Sequence, residues 1–272
     1  MLSMFRYQFM QNAALAGLLV GILCSVLSVF VVLKKMAFIG QGIAHAAFGG
    51  IAFAILLDLN IYVTTNIFCI LVAVMIGLVS RRGKVSEDSS IGLFLTTSMA
   101  LGVIFLNLRT GYTQDVFSYL FGNILAVNRQ DVVMIALLGL AVMAFIIYYY
   151  RKLQFFAFDE ETAQVAGVNV NFLYFSLLII LSLVIVMSVQ VVGVILVSAL
   201  LIIPATIALL VGRRFTQVVF LSVAVGVFST FSGLIASYYA RVSSGAAIVV
   251  VLFLLFIVTF FSNRIIKRFA EK

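Results

Sequence analysis

What this sequence has least of is charge. Only 10% of its 272 residues are Asp, Glu, Lys or Arg, 65% are hydrophobic, and mean hydropathy is +1.28. That balance excludes a water-soluble globular domain, whose charged share is about 25%. The chain reads instead as an all-α polytopic membrane protein. Histidine occurs once and cysteine twice. One imidazole excludes a His-rich zinc centre within a single chain, and there is no HExxH. Cys24 and Cys69 lie in separate apolar runs without CxxC or zinc-ligand spacing, so both read as small buried core residues. Proline occurs once, and no Pro/Ser/Gly-rich linker or charge block divides the chain, so residues 1–272 are expected to form one transmembrane domain.

Other chemistry is absent as well. The run from Gly77 to Val85 resembles a phosphate loop only faintly: its glycines are one residue too far apart, and Val85 stands where a hydroxyl residue would meet magnesium. The chain is therefore not expected to hydrolyse ATP or to act as an enzyme. A Ser or Thr nucleophile would need His45 as its base, yet no carboxylate in the same span orients that ring, which argues against an intramembrane hydrolase. The net charge of +8 does not indicate nucleic acid, because the cations sit at the ends of apolar runs, where they report topology in a lipid bilayer.

What is present is a series of apolar runs at about 13–33, 36–57, 61–79, 91–107, 132–150, 171–189, 192–211, 216–239 and 246–266, about nine crossings. With only Arg6 ahead of the first run and no small-residue cleavage site after it, 13–33 is read as a retained span. The stretch 171–211 is too long for one crossing and is divided at Gln190 to Gly193. Nine crossings place Lys34, Lys35, Arg81, Arg82, Lys84, Arg151, Lys152, Arg213, Arg214, Arg264, Lys267, Arg268 and Lys272 on one side, leaving Arg6, Arg109, Arg129 and Arg241 opposite. The cation-rich side, with the C-terminus, is expected to be cytoplasmic and the N-terminus outside.

Four segments carry candidate function. In Lys34–Gly50 the lone His45 lies four residues after Gln41, so both share one helix face, while Gly42, Ala46 and Gly49 form a small-residue seam. An imidazole in hydrocarbon needs a partner or a water-lined cavity, so His45 is either a pathway residue or an interhelical hydrogen bonder, and Gln41 either joins it or ties helices together. Pro204 either breaks its helix, as in transporter pathways, or merely bends it. From Arg109 to Asp131, Tyr112, Asp115, Phe117, Tyr119 and Phe121 fit short, partly embedded helices at interface depth. Between Leu153 and Asn169, the core Asp159-Glu160-Glu161-Thr162-Ala163-Gln164-Val165-Ala166-Gly167 has early carboxylates and a glycine at the C′ position. It reads as a short self-capped helix, with a solvated loop as the alternative.

Taken together these segments resemble the permease family of bacterial ABC importers for zinc, manganese and iron. Phe38-Ile39-Gly40-Gln41-Gly42-Ile43-Ala44-His45-Ala46 is similar to the family's FIGDALSHA, and Phe158 to Val168 to its FDPExAxxxGV. Val192 to Ala205 is similar to VGxLLVSALLIIPA, and Ser237-Tyr238-Tyr239 precedes Ser244-Gly245 near the end. The resemblance implies a type II importer-like permease in the bacterial cell membrane that works as a homodimer. Two cytoplasmic ATPase subunits would bind ATP and Mg, and an extracytoplasmic metal-binding protein would deliver the ion. The permease itself would bind no cofactor. By that analogy the helix at about 159–168 is the coupling helix on the ATPase, with Asp159, Glu160, Glu161, Ala163 and Gly167 as its characteristic residues. The resemblance also favours His45, beside Gln41, as a metal ligand or gate facing the pathway. From its own chemistry Pro204 is the candidate helix break of that pathway, and Arg241, a cation on the expected external face, is expected to dock an acidic rim of the binding protein.

The chain departs from the family at Gln41, where the motif has Asp, at Arg241, where a carboxylate is usual, and at Ser243, which replaces a proline. Fewer carboxylates weaken a hard-ion site, which leaves zinc held transiently by paired His45 residues, an unliganded pathway that only confines the ion, or a chelated or different substrate. Zinc is the expected cargo, with manganese or iron as alternatives. The competing readings are a proton-coupled secondary transporter or channel with His45 as relay, and a structural subunit without a pathway.

Overall fold

The computed structural model describes residues 8–83, 85–109 and 127–270, and of 265–270 only the backbone. The aromatic segment expected around Tyr112, Asp115, Phe117, Tyr119 and Phe121 lies outside the described residues, as do Arg6, Lys84 and Lys272. The described chain is helical: α1 (Gln8–Leu33), α2 (Ile39–Leu56), α3 (Ile61–Arg82), α4 (Glu87–Leu108), α5 (Arg129–Tyr148), α6 (Tyr150–Phe158), α7 (Glu160–Val165), α8 (Val170–Val192), α9 (Val194–Leu200), α10 (Ile203–Val211), α11 (Phe215–Ala240) and α12 (Ser244–Ala270). Among the described residues nine stretches are long and apolar enough to cross a membrane, α9 and α10 together making the seventh. They coincide with the nine runs expected from hydropathy.

Short polar breaks start these helices by supplying side-chain caps for otherwise unpaired amides. Asn60 accepts from the Val63 amide at 3.1 Å, Ser86 from Ser89 at 3.2 Å and Asn169 from Phe172 at 3.1 Å. At the Asp58-Leu59-Asn60 break, Asp58 takes a left-handed conformation (φ 50°) and the Leu59 amide reaches the Ala54 carbonyl at 2.9 Å. Four residues between α2 and α3 are enough for a tight hairpin.

The described residues divide into two compact units built from discontinuous stretches: 8–35, 127–139 and 195–270 belong to the first, and 36–83, 85–109 and 140–194 to the second. In the first unit α1 and α11 are antiparallel and touch along small residues. A Cβ on Gly226 would stand 1.9 Å from Ser25 Oγ and 3.1 Å from the Gly21 carbonyl. At the same contact Ser28 Oγ lies 3.0 Å from Ser222 Oγ, and Ser222 donates to the Ser25 carbonyl at 2.7 Å. Interhelical bonds of this kind contribute roughly 0.6 kcal/mol each in a membrane, so close backbone approach is the larger effect. The hairpin of α11 and α12 closes at Gly233, whose Cβ would meet the Ile248 Cα at 2.5 Å. Asn263 then donates to the Leu210 carbonyl at 2.7 Å, filling an acceptor in the last turn of α10.

In the second unit α2 runs parallel to α4 and packs on it through its own small residues. A Cβ on Gly42 would meet Ile91 at 2.5 Å, and one on Gly49 the Ser98 carbonyl at 2.5 Å. Gly102 takes the Phe48 ring from the other side, within 2.6 Å of its own missing Cβ. The small-residue seam expected on α2 is thus the α4 contact. Phe48, Ile51 and Ile55 form the adjoining core, with Ile61, Leu106 and Val194 against it. Arg109, at the end of α4, pairs with Asp58 at 2.8 Å and donates to the Ile55 carbonyl, joining the ends of α2 and α4. Cys24 and Cys69 are both buried and unoxidised, one in each unit, as small core residues.

These contacts generate a prediction. Gly49→Ala and Gly233→Ala are each expected to lose about 1–3 kcal/mol of stability, because main-chain atoms must move aside. Gly92→Ala, where the added methyl meets nothing within 4 Å, is expected to be neutral or stabilising. Thermal unfolding of the three purified variants in one detergent checks the ranking.

Candidate functional site

His45 sits in the second turn of α2, one turn after Gln41, at the end of the helix preceded by Lys34 and Lys35. The Gly42–Gly49 line presses α2 onto α4, and a Cβ at Gly50 would stand 3.0 Å from the Thr65 Cα of α3. This close packing leaves Gln41 exposed and His45 half-buried on a neighbouring strip of the helix. Neither side chain hydrogen-bonds to a described residue. Among the described residues no group of three or more His, Cys, Asp and Glu gathers to hold a metal ion. What one copy of the chain offers here is an imidazole and an amide oxygen, neutral donors suited to brief contact with a cation.

Irregular backbone both precedes and breaks the seventh span. Gly193 adopts φ 87°, ψ 159°, which separates α8 from α9 where the sequence required a division. At Pro204 the helix breaks and does not merely bend: α9 stops at Leu200, and α10 restarts at Ile203 with the proline in its first turn. The ring cannot donate to the ladder, and it excludes the carbonyl one turn earlier. The chain reconnects through the Ile202 carbonyl, which accepts from both the amide and the hydroxyl of Thr206, at 3.1 and 2.8 Å.

The Asp159–Gly167 segment is a helix of one and a half turns, α7, with both ends closed. Asp159 is the N-cap, accepting from the Thr162 amide at 3.0 Å and from the Thr162 hydroxyl. Those two donors hold its carboxyl below the usual carboxylate range. At the other end the Gly167 amide bonds to the Gln164 carbonyl and the Val168 amide to the Ala163 carbonyl, each at 3.0 Å. This double closure is a Schellman motif, and it needs a left-handed residue at Gly167, where φ is 82°. A Cβ there would meet nothing within 4 Å, so backbone conformation alone demands glycine. Ala163 is fully buried, Glu161 faces out, and Glu160 pairs with Arg81. Two apolar side chains flank the helix in the open: Val165 is 89% exposed and Phe158 61%.

Arg241 ends α11 in a left-handed conformation (φ 55°), exposed, with its amide on the Ser237 carbonyl. The Ser237 hydroxyl donates to the Val242 carbonyl at 2.7 Å and fixes the turn.

A family model described as the ABC 3 transport family matches residues 6–263. The chain belongs to that family. It is 37% identical over 258 residues to the manganese transport system membrane protein MntC of Halalkalibacterium halodurans, covering 95% of this chain and 88% of the relative. It is 32% identical over 269 residues to a probable iron transport system membrane protein of Haemophilus influenzae, covering 97% of each. The solved structure of PsaBC from Streptococcus pneumoniae in complex with Fab superposes with a TM-score of 0.83 at 32% identity, covering 95% of this chain and 93% of that one.

Membership of the ABC 3 transport family bears out the expected permease of a metal ABC importer. It makes the chain the membrane-spanning part, with ATP hydrolysis on a separate subunit. Several residues gain importance only from the three-dimensional arrangement. Glu160, Asn171 and the Tyr174 ring gather on Arg81, and Glu87 on the Tyr174 hydroxyl, although Glu160 and Asn171 lie 79 and 90 residues from Arg81 in sequence, so no local pattern announces them. Val165 and Phe158 reveal themselves by exposure, which their apolar character would not predict. Deep in the second unit the Asn66 carbonyl oxygen and both polar atoms of Gln190 are buried without a hydrogen-bond partner among the described residues.

The caps of α7 yield two expectations. Because the folded Asp159 carboxyl is depressed, its cap holds at neutral pH and is lost as pH falls through that depressed value, below the ordinary 3.8. The Thr162 amide resonance followed between pH 7 and 2 should titrate with a midpoint under 3.8, and should not titrate in Asp159→Asn. Gly167→Val is expected to cost about 1–2 kcal/mol of local stability, read as faster proteolysis between Val165 and Asn169. Unchanged cleavage would mean that the left-handed cap is not what holds the helix.

Proposed function

We propose that this chain forms, as a homodimer, the pathway of an ATP-driven importer that takes a divalent transition metal from an extracytoplasmic binding protein. The observation that carries the reading is α7: a doubly capped helix between two spans, with Val165 exposed at its end and Phe158 exposed at the end of α6 just before it, the form of an element that seats in a partner's groove. Its seat is the cytoplasmic ATPase, which binds ATP and Mg. The orientation follows from the cations. Lys34, Lys35, Arg81, Arg82, Arg151, Lys152, Arg213, Arg214 and Arg264 lie on the cytoplasmic side with the C-terminus, and the N-terminus is outside. The two compact units together make up the single transmembrane domain.

Manganese is the first cargo to test, because relatives are named for manganese and for iron. The zinc expectation rested on the preference of neutral imidazole for zinc, and none of those names supports it. Two copies of His45 and Gln41 brought together across the dimer would give four neutral donors, which hold an ion loosely enough for release. Pro204 supplies the break that lets the seventh span change shape. Arg241, exposed at the external end of α11, docks an acidic rim of the binding protein.

The test is uptake into vesicles holding the permease, its ATPase and the binding protein, with manganese, zinc and iron compared. ATP-dependent manganese uptake is expected, and His45→Ala should reduce it about tenfold or more, the loss of one transition-state contact. Uptake that needs no ATP and follows a proton gradient would replace the importer reading with a proton relay at His45. Reversing the charge in Arg241→Glu should weaken docking of the binding protein at low salt; unchanged docking would remove Arg241 from that surface.

A further inference from the structure

Arg81 is where the second unit's helices meet α7. From the last turn of α3 its guanidinium donates to the Glu160 carboxylate in the first turn of α7, and through its other terminal nitrogen to Asn171 Oδ1 in the first turn of α8. The flat face of the same group lies over the Tyr174 ring, 4.0 Å from its centre. The Tyr174 hydroxyl continues the chain of contacts by donating to Glu87 Oε1, at 3.1 Å, in the first turn of α4. One planar cation therefore holds α3, α7 and α8 directly and α4 through a single intermediary. Only an arginine can do this, because carboxylate and amide use the edge of its fork while the ring uses its face.

The junction is deeply buried on one side and only partly covered on the other. Tyr174 is 2% exposed and cannot yield. Glu160 and Arg81 are partly shielded, with side chains 34% and 23% exposed, so their attraction is less screened than at an open surface. Beyond them α7 is bounded by extended backbone at Asp159 and left-handed backbone at Gly167, and Ala163 is its one buried residue. A six-residue helix with one buried residue, joined through such a bend at each end, can pivot there unless a side-chain contact holds it.

We propose that Arg81 is the positioning residue that pins α7, so that movement imposed on α7 reaches α3, α4 and α8 and is not absorbed at its pivots. The proposal rests on the reading of α7 as the seat of the ATPase. It assigns to Arg81 a role in transmission and none in contacting the cargo.

The experiment uses the complete complex of permease and ATPase in lipid nanodiscs and measures ATP hydrolysis with and without manganese-loaded binding protein. Arg81→Gln and Glu160→Gln are each expected to reduce the stimulated part about tenfold, the scale of one charge-assisted hydrogen bond. The double variant should be no worse than either single one, because all three break the same link. Arg81→Lys keeps the charge but cannot meet carboxylate, amide and ring together, and should resemble Arg81→Gln. Co-purified ATPase should be retained in each variant. Unchanged stimulation with the ATPase attached, or losses that multiply in the double variant, would overturn the proposal. Glu160→Gln, which alters a partly exposed side chain, carries the test if Arg81→Gln does not fold. Val165→Asp tests the underlying reading separately: it should release the ATPase, and if the ATPase stays bound and stimulated, α7 is not its seat, whatever Arg81 does.

Discussion

Close backbone approach at small residues is the constraint on which this structure depends. In a bilayer, apolar side chains gain little by leaving lipid for protein, so helices associate where their main chains can come near enough for dense packing. Each unit has such a seam. In the first, Gly21, Gly226 and Gly233 let α1, α11 and α12 touch; in the second, Gly42, Gly49 and Gly102 do so for α2 and α4. These seams also determine where function can lie. Because Gly42 and Gly49 commit one strip of α2 to α4, the adjoining strip with Gln41 and His45 is left less covered, and polar donors occur there without competing for the packing face.

A second theme is the use of unusual backbone at helix ends. Lys35, Asp58 and Arg241 are left-handed without being glycine, and Gly167 and Gly193 have positive φ. Each stands where one helix must end and the chain reverse or change direction within a few residues. At Asp58 the conformation is reinforced by its ion pair with Arg109, and at Arg241 by the hydroxyl of Ser237. The interruption at Pro204 differs in being inside a membrane-spanning stretch, Val194–Val211, where irregular backbone needs local hydrogen-bond partners. There the Ile202 carbonyl begins the new ladder, accepting both the amide and the hydroxyl of Thr206.

Around α7 these two principles combine. The helix is too short to be stable alone, and it persists because its caps are complete and because Ala163 and Glu160 anchor it to the helices behind. Val165, its last residue, is left exposed. A capped and anchored helix with an exposed apolar side chain is suited to a protein partner, and Arg81 links it to three membrane-spanning helices.

Much of this was legible in the sequence. Hydropathy and chain length dictated nine spans, because only a helix satisfies its own backbone in hydrocarbon and only about 20 apolar residues reach across. The ends of α7 were legible from Asp159 and Gly167, since capping is chemistry within a few residues, and the α2 seam was legible from the spacing of Gly42 and Gly49. Two alternatives open in the sequence, a break or a bend at Pro204 and a helix or a loop at 159–167, were decided by the structure in favour of the break and the helix. The partners of Glu160 were not legible at all. Arg81 reads as one more cation at the end of a span, and its contacts with residues 79 and 90 positions away exist only because α3 and α8 lie side by side. Local hydrogen bonds and hydropathy are properties of a short stretch, so the sequence determined them; which charges meet is a property of helix packing, and only the tertiary structure decided it.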